Sequence, residues 1–151
     1  SNLIEYSYPT YENNNTDTLD QSGIELSYAY SGEKNNFNIW ATSLSSEKTN
    51  NSAQLRRPEN SLGFNFERVV TKDWSYYANY TFTGEHFDIH NSNYSTIVMP
   101  ETHILDIGFT KNYYGYEIGL SINNVFDQDY ERPHGFSQDD RKINFSFKRK
   151  F

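Results

Sequence analysis

The last nine residues, Ile143-Asn144-Phe145-Ser146-Phe147-Lys148-Arg149-Lys150-Phe151, place a large apolar group on nearly every second position. Alternation of this kind gives a β-strand with one apolar and one polar face. The length suits a tilted strand crossing a bilayer, which takes roughly 9–11 residues and turns alternate side chains to lipid and to lumen. The same period recurs upstream. Ile24, Leu26, Tyr28 and Tyr30 alternate with Glu25, Ser27 and Ala29, and Leu62, Phe64 and Phe66 with Gly63, Asn65 and Glu67. Trp74, Tyr76, Ala78, Tyr80 and Phe82 oppose Ser75, Tyr77, Asn79, Thr81 and Thr83. Leu105, Ile107 and Phe109 alternate with Asp106 and Gly108, and Tyr116, Ile118, Leu120 and Ile122 with Glu117, Gly119 and Ser121. Ile4, Tyr6 and Tyr8 predict a first strand, and residues 37–44 a less regular one.

Composition narrows what such strands can build. A chain of 151 residues permits one domain, and a formal charge of −7 argues against a nucleic-acid partner, whose phosphates require a basic surface. The absence of cysteine removes disulfides, thiolate catalysis and zinc-thiolate sites. The mean hydropathy is −0.87, and no apolar run approaches the roughly 20 residues of a membrane helix. Yet the chain carries 13 Tyr, 11 Phe and 2 Trp, too many rings for a disordered polar segment. A barrel with a wet interior resolves the conflict, because only half of each strand then faces lipid. Ser1 and Asn2 lead straight into strand-like sequence with no signal peptide, so a mature product or a piece is expected.

The polar stretches at residues 9–21, 45–60 and 84–102 predict long loops, and residues 31–35, 71–73 and 112–115 predict tight turns. A further loop near residues 131–140 precedes the last strand. About eight strands with alternately long and short connections match an outer-membrane barrel, whose turns are short on the periplasmic side and long outside. The C-terminus is then periplasmic. Three cations at lipid-facing positions, Arg68, Lys111 and Arg149, fall near periplasmic strand ends, where a charge costs about 0–1 kcal/mol against roughly 2–4 at the midplane. Glu5, Glu25, Glu67, Asp106 and Glu117 fall on the lumenal face, where water can solvate them. Trp74, Tyr76, Tyr114 and Tyr116 suit the periplasmic aromatic girdle.

The segment Ile122-Asn123-Asn124-Val125-Phe126-Asp127-Gln128-Asp129-Tyr130 resembles the Asn-Leu-Phe-Asp-x-x-Tyr signature near the end of TonB-dependent outer-membrane receptors. Asp140-Arg141 stands where that family commonly has Gly-Arg. Ser22-Gly23-Ile24-Glu25-Leu26 is similar to its Gly-Val-Glu-Leu strand opening, and Arg57-Pro58 to its Arg-x-Pro-like entry to a downward strand. The resemblance runs along nearly the whole chain. It implies an all-β, antiparallel transmembrane barrel of about 22 strands, filled by an N-terminal plug, of which residues 1–151 supply the last eight strands. It also implies a transporter importing a scarce metal chelate (iron-siderophore, haem or cobalamin), powered by the TonB complex through a TonB box on the plug. The plug and the earlier strands are absent from this sequence. The Asn-Val-Phe-Asp-Gln-Asp-Tyr-Glu wording looks most like the vitamin B12 and small-siderophore receptors.

Candidate sites lie at the two ends of the strands. Phe145, Phe147 and Phe151 resemble the C-terminal signal read by the barrel-assembly machinery, a β-augmentation event; the plainer reading is that these rings only face lipid. His86, His90, His103 and His134 all fall in or beside predicted extracellular loops, and residues 85–90 have a spacing able to present several ligands, although a solvated loop explains it equally. Arg56 and Arg57 suit an anionic chelate or, more plainly, lipopolysaccharide and water. Tyr11, Tyr94 and Phe136 are loop aromatics of the kind that packs on planar ligands or on the loops themselves. Ligand-contact candidates are therefore Arg56, Arg57, His86, His90, Tyr94 and His134. No catalytic group, resident cofactor or metal motif stands out, so no enzyme is expected. The expected partners are outer-membrane lipid, the rest of the same receptor, the assembly machinery and a small metal chelate.

Two other architectures fit parts of this pattern. A self-standing eight-stranded outer-membrane barrel, structural or lipid-modifying, matches the strand number. A soluble lipocalin-like barrel would bury apolar residues inward and has no place for acids on so many inner faces.

Overall fold

A computed structural model describes residues 2–7, 12–48 and 54–149, with side chains at residues 20–46 and 54–149. Alternating sequence becomes ten strands: β1 (Asn2–Ser7), β2 (Glu12–Ser31), β3 (Asn35–Lys48), β4 (Asn60–Thr71), β5 (Trp74–Thr83), β6 (His86–Ile89), β7 (Thr96–Met99), β8 (Thr102–Tyr113), β9 (Tyr116–Asn123) and β10 (Lys142–Arg149). Eight form one antiparallel sheet in the order β1-β2-β3-β4-β5-β8-β9-β10, and β6 pairs with β7 as a separate hairpin. The sheet is open, for β1 and β10 are its two borders among the described residues.

Apolar side chains line the outside. Ile24, Leu26, Ile143 and Phe145 are 66%, 65%, 69% and 70% exposed, and Met99 alone among the described apolar residues is buried. The accessible surface is 10824 Å², against about 8,000 Å² expected for a water-soluble monomer of this mass. The register aligns these side chains in rows. One row runs Tyr30, Phe37, Phe66, Ala78, Ile107, Ile122 and Ile143 across seven strands. The ten residues of β5 rise about 33 Å and, tilted by roughly 40°, span about 25 Å, the height of a barrel's apolar band. Arg68, Lys111 and Arg149 pair with Tyr76, Trp74 and Tyr116, close to the short turns as expected.

The opposite face is polar. Asn38, Asn65, Asn79 and Asp106 stand opposite one another on β3, β4, β5 and β8. Asn36, Glu67, Tyr77 and Asn123 join them around a hollow of about 500 Å³. The irregularity read in residues 37–44 has its source in Trp40, which faces this wet side opposite Gly63. A Cβ on Gly63 would come within 2.8 Å of that indole, and one on Gly108 would run into the ring of Tyr77. Large aromatic rings thus cover glycines on neighbouring strands and break the simple apolar-polar code.

The short turns fall where the sequence put them. Tyr114 (φ 47°) and Gly115 (φ 80°) close β8 to β9 with two left-handed residues, the geometry that matches strand twist in a hairpin. The long loops require correction. Residues 12–21 belong to β2 and residues 45–48 to β3, so these strands continue past the level where β4 begins, at Ser43 opposite Asn60. Their polarity in sequence does not preclude pairing. β1 joins this extension: Asn2 faces Thr18 and Ser7 faces Glu12, beyond the last β2–β3 rung at Leu19 and Lys48. The alternation of Ile4 and Tyr6 therefore marks a strand outside the apolar band, not one crossing it. The region 84–102 is likewise not featureless, since it contains the β6–β7 hairpin. Tyr11 and Phe151 lie outside the described residues.

Candidate functional site

Three segments meet at the long-loop end: residues 54–59, the β6–β7 excursion and residues 124–141. Apolar Phe87 and Ile89 flank Asp88, so alternation alone turns Asp88 to the opposite side of β6 from them. There it is the one fully buried large side chain among the described residues, at 0% exposure. Arg56 Nε donates to Asp88 Oδ1 at 2.7 Å, Ile89 N–H donates to the same oxygen at 2.8 Å, and His134 N–H donates to Oδ2 at 2.9 Å. Burial pushes the Asp88 carboxyl upward, but the donors from His134, Arg56 and Ile89 outweigh it and hold the group below its ordinary 3.8. The backbone follows the side chains: Arg56 N–H donates to the Phe87 carbonyl at 2.6 Å, and Leu55 bridges Phe87.

The loop after β9 is built around Glu131. Its Oε2 accepts from Gly135 N–H at 2.7 Å and lies 2.8 Å from His134 Nδ1. Arg132 Nη2 donates to Thr83 Oγ1 at 2.8 Å. Thr83 shares the wet face of β5 with Asn79 and Tyr77, so this contact ties the loop to the polar side of the sheet. The rings of His134 and His90 lie 4.7 Å apart, and Gly135, at φ +84°, sits where any Cβ would strike Asn91.

The ligand-contact candidates therefore separate. Arg56, His90 and His134 converge, with Tyr94 at the hairpin turn (55% exposed) and Phe136 on the facing loop (64% exposed). The Arg56 side chain remains 61% exposed although its Nε is engaged by Asp88. Arg57 points elsewhere, donating to Gln21 Oε1 on the β2 extension at 3.5 Å. His86 Nδ1 lies 3.2 Å from the carbonyl of Gly84 at the hairpin base, and His90 Nδ1 accepts from Ser92 N–H at 3.2 Å. His103 is not a loop residue: it sits on the lipid-side face of β8, with Nδ1 2.8 Å from the Tyr80 hydroxyl. Among the described residues no three His, Cys, Asp or Glu side chains gather in the manner of metal ligands. Phe145 and Phe147 are exposed on the lipid side of border strand β10.

The Asn-Val-Phe-Asp segment is a structural knot. Asn124, 4% exposed at φ 50°, takes Asp106 Oδ1 on its N–H at 2.8 Å and donates from Nδ2 to the carbonyls of Gln128 and Asp139. Gln128 Oε1 accepts from His103 N–H, and its Nε2 donates to the Glu101 carbonyl at 3.1 Å. Asp127 accepts from Arg141 N–H at 3.0 Å and pairs with Arg141 Nη2 at 2.8 Å. The Arg141 backbone donor, with its guanidinium, holds the Asp127 carboxyl below its ordinary value. Two residues singled out for their resemblance to a family pattern are thus partners that tie the start of the last loop to its end.

No protein-family profile matches the sequence, and no curated protein is similar to it. Solved structures are similar in fold. The ferripyoverdine receptor of the outer membrane of Pseudomonas aeruginosa, bound to ferripyoverdine, superposes with a TM-score of 0.74 at 14% identity, covering 97% of this chain and 23% of that one. The ferric-catecholate import receptor Fiu from E. coli K12 gives 0.71 at 15% identity, over 95% of this chain and 22% of that one. The FrpB iron transporter from Neisseria meningitidis gives 0.64 at 13% identity, over 93% and 24%. By name these neighbours are two receptors, one of the outer membrane and one for import, and an iron transporter. The fold of this chain is that of an arc of their antiparallel barrels, and the chain spans less than a quarter of their length.

Proposed function

We propose that the chain forms the C-terminal arc of the barrel of an outer-membrane receptor that imports a ferric chelate. The observation that carries this reading is the inverted sheet, apolar outside and polar within, superposing along 97% of its length on a ferric-siderophore receptor. In this reading the short turns and the end of β10 face the periplasm, and the loop cluster around Asp88 faces outward. A plug carrying the TonB box and the earlier strands belong to the rest of the polypeptide. Phe145 and Phe147 on border strand β10, with Phe151 beyond it in sequence, are offered to the assembly machinery. Tyr94, Phe136, His90 and the outer side of Arg56 border the mouth that an anionic, planar chelate would meet.

The test is uptake by cells whose receptor is encoded by the full gene containing this sequence. Radio-iron on hydroxamate and catecholate chelates should accumulate in an energy-dependent manner and cease on deletion of the gene. Uptake of haem or cobalamin instead would redirect the cargo, and uptake of none would remove the importer reading. The self-standing eight-stranded barrel is disfavoured by the open sheet, in which β1 pairs only with residues 12–18 and has no rung to β10 among the described residues.

A further inference from the structure

Asp88 is used by neither the lipid face nor the polar hollow, yet it is the most completely enclosed group described in a chain that otherwise buries little. We propose that Asp88 latches residues 54–59, the β6–β7 hairpin and the loop after β9 into one body fastened to the wet face of β5, so that these segments open and close together. The latch rests on the proposed outward placement of the loops for its use, not for its geometry.

Each loop contributes a separate donor. Arg56 comes from the first, Ile89 from the hairpin itself and His134 from the last. A carboxylate suits this position because both oxygens are acceptors and its charge strengthens all three bonds. The loops are also keyed by shape. The missing side chain of Gly135 admits Asn91, the rings of His90 and His134 meet, and the bridge between Glu131 and Ser137 stiffens the last loop behind them. Arg132 on Thr83 then fastens this unit to the wet face of β5. An amide at position 88 would keep an acceptor for Arg56 and Ile89 but oppose the His134 N–H with another donor. Asp88→Asn therefore breaks the bond to His134 and strips the other two of the charge that strengthens them, so the three segments are unlatched together.

The test uses the full-length protein in outer-membrane vesicles, with hydrogen exchange read loop by loop and chymotrypsin cleavage at Tyr94 and Phe136. Arg56→Gln lies in the first loop, yet exchange at His134 and Gly135 should rise by about tenfold or more. Asp88→Asn should do the same, cleavage at Tyr94 and Phe136 should rise together, and the double variant should add nothing to Asp88→Asn alone. Confinement of the Arg56→Gln effect to residues 54–59, or additive effects in the double variant, would overturn the latch. Should Asp88→Asn fail to assemble as a heat-modifiable barrel, Arg56→Gln alone decides the matter by the same readout. No cargo is needed, so loss of the latch and loss of the import reading are separable results.

Discussion

Asn124 and Gln128 hold each other twice: Asn124 Nδ2 donates to the Gln128 carbonyl at 2.9 Å, and Gln128 N–H returns a bond to Asn124 Oδ1 at 3.0 Å. The reciprocal pair folds the chain back at the top of β9 and leaves Gln128 free to clamp both sides of the entry to β8.

Replacing Asn124 by Ala removes both bonds and strands buried backbone groups in a left-handed residue that Asn tolerates better. A loss of about 2–4 kcal/mol is expected, read by denaturant unfolding of the full-length protein in lipid. A change below about 0.5 kcal/mol would mean that water replaces the amide.

Tyr77 over Gly108 gives a second prediction. Gly108→Val should destabilise the sheet by about 1–3 kcal/mol through overpacking. Tyr77→Ala in the same chain should recover much of that loss, a coupling visible in a double-mutant cycle. Independent effects would show that the ring simply swings away.

Depth along β8 predicts a gradient. Ile107→Arg, at mid-strand on the lipid side, should cost about 2–4 kcal/mol, whereas Tyr113→Arg beside the short turn should cost about 0–1. Equal costs at the two positions would place the bilayer elsewhere.

Acid should act on the loop cluster through Asp88. Its carboxyl lies below the ordinary 3.8 in the folded chain, so its stabilisation is fully present above about pH 4 and is lost as pH falls through the lower folded value. Hydrogen exchange at His134 and Gly135, corrected for the intrinsic pH dependence, should stay protected at pH 5 and rise only as pH falls below the ordinary 3.8. Loss of protection already at pH 6 would show that Asp88 is not the group on which acid acts.

The apolar band was legible because bilayer and lumen impose opposite demands on adjacent residues, and Ile107 and Asp106 obey them without exception. Trp40 and Tyr77 were harder to read, since a ring on the wet side is explained only by the glycine beside it on another strand. The polar residues of β2 misled for a related reason: a strand paired beyond the apolar band needs no greasy face, so Asn13, Asn14 and Asn15 carry no periodic signal. Asp88 stood in plain view between Phe87 and Ile89, but its partners Arg56 and His134 are 32 and 46 residues away in sequence. Only folding brings them together. The Asn-Val-Phe-Asp wording was visible by resemblance, whereas its role as a clasp on Arg141 was not.

The unfinished border at β10 has a consequence for biogenesis. Among the described residues no strand pairs with the outer edge of β10, and in hydrocarbon each unpaired backbone group costs several kcal/mol. A sheet in that condition is not tolerated by a bilayer, so insertion must be timed to seam closure, and whatever guides the chain into the membrane must shield that margin until its mate arrives.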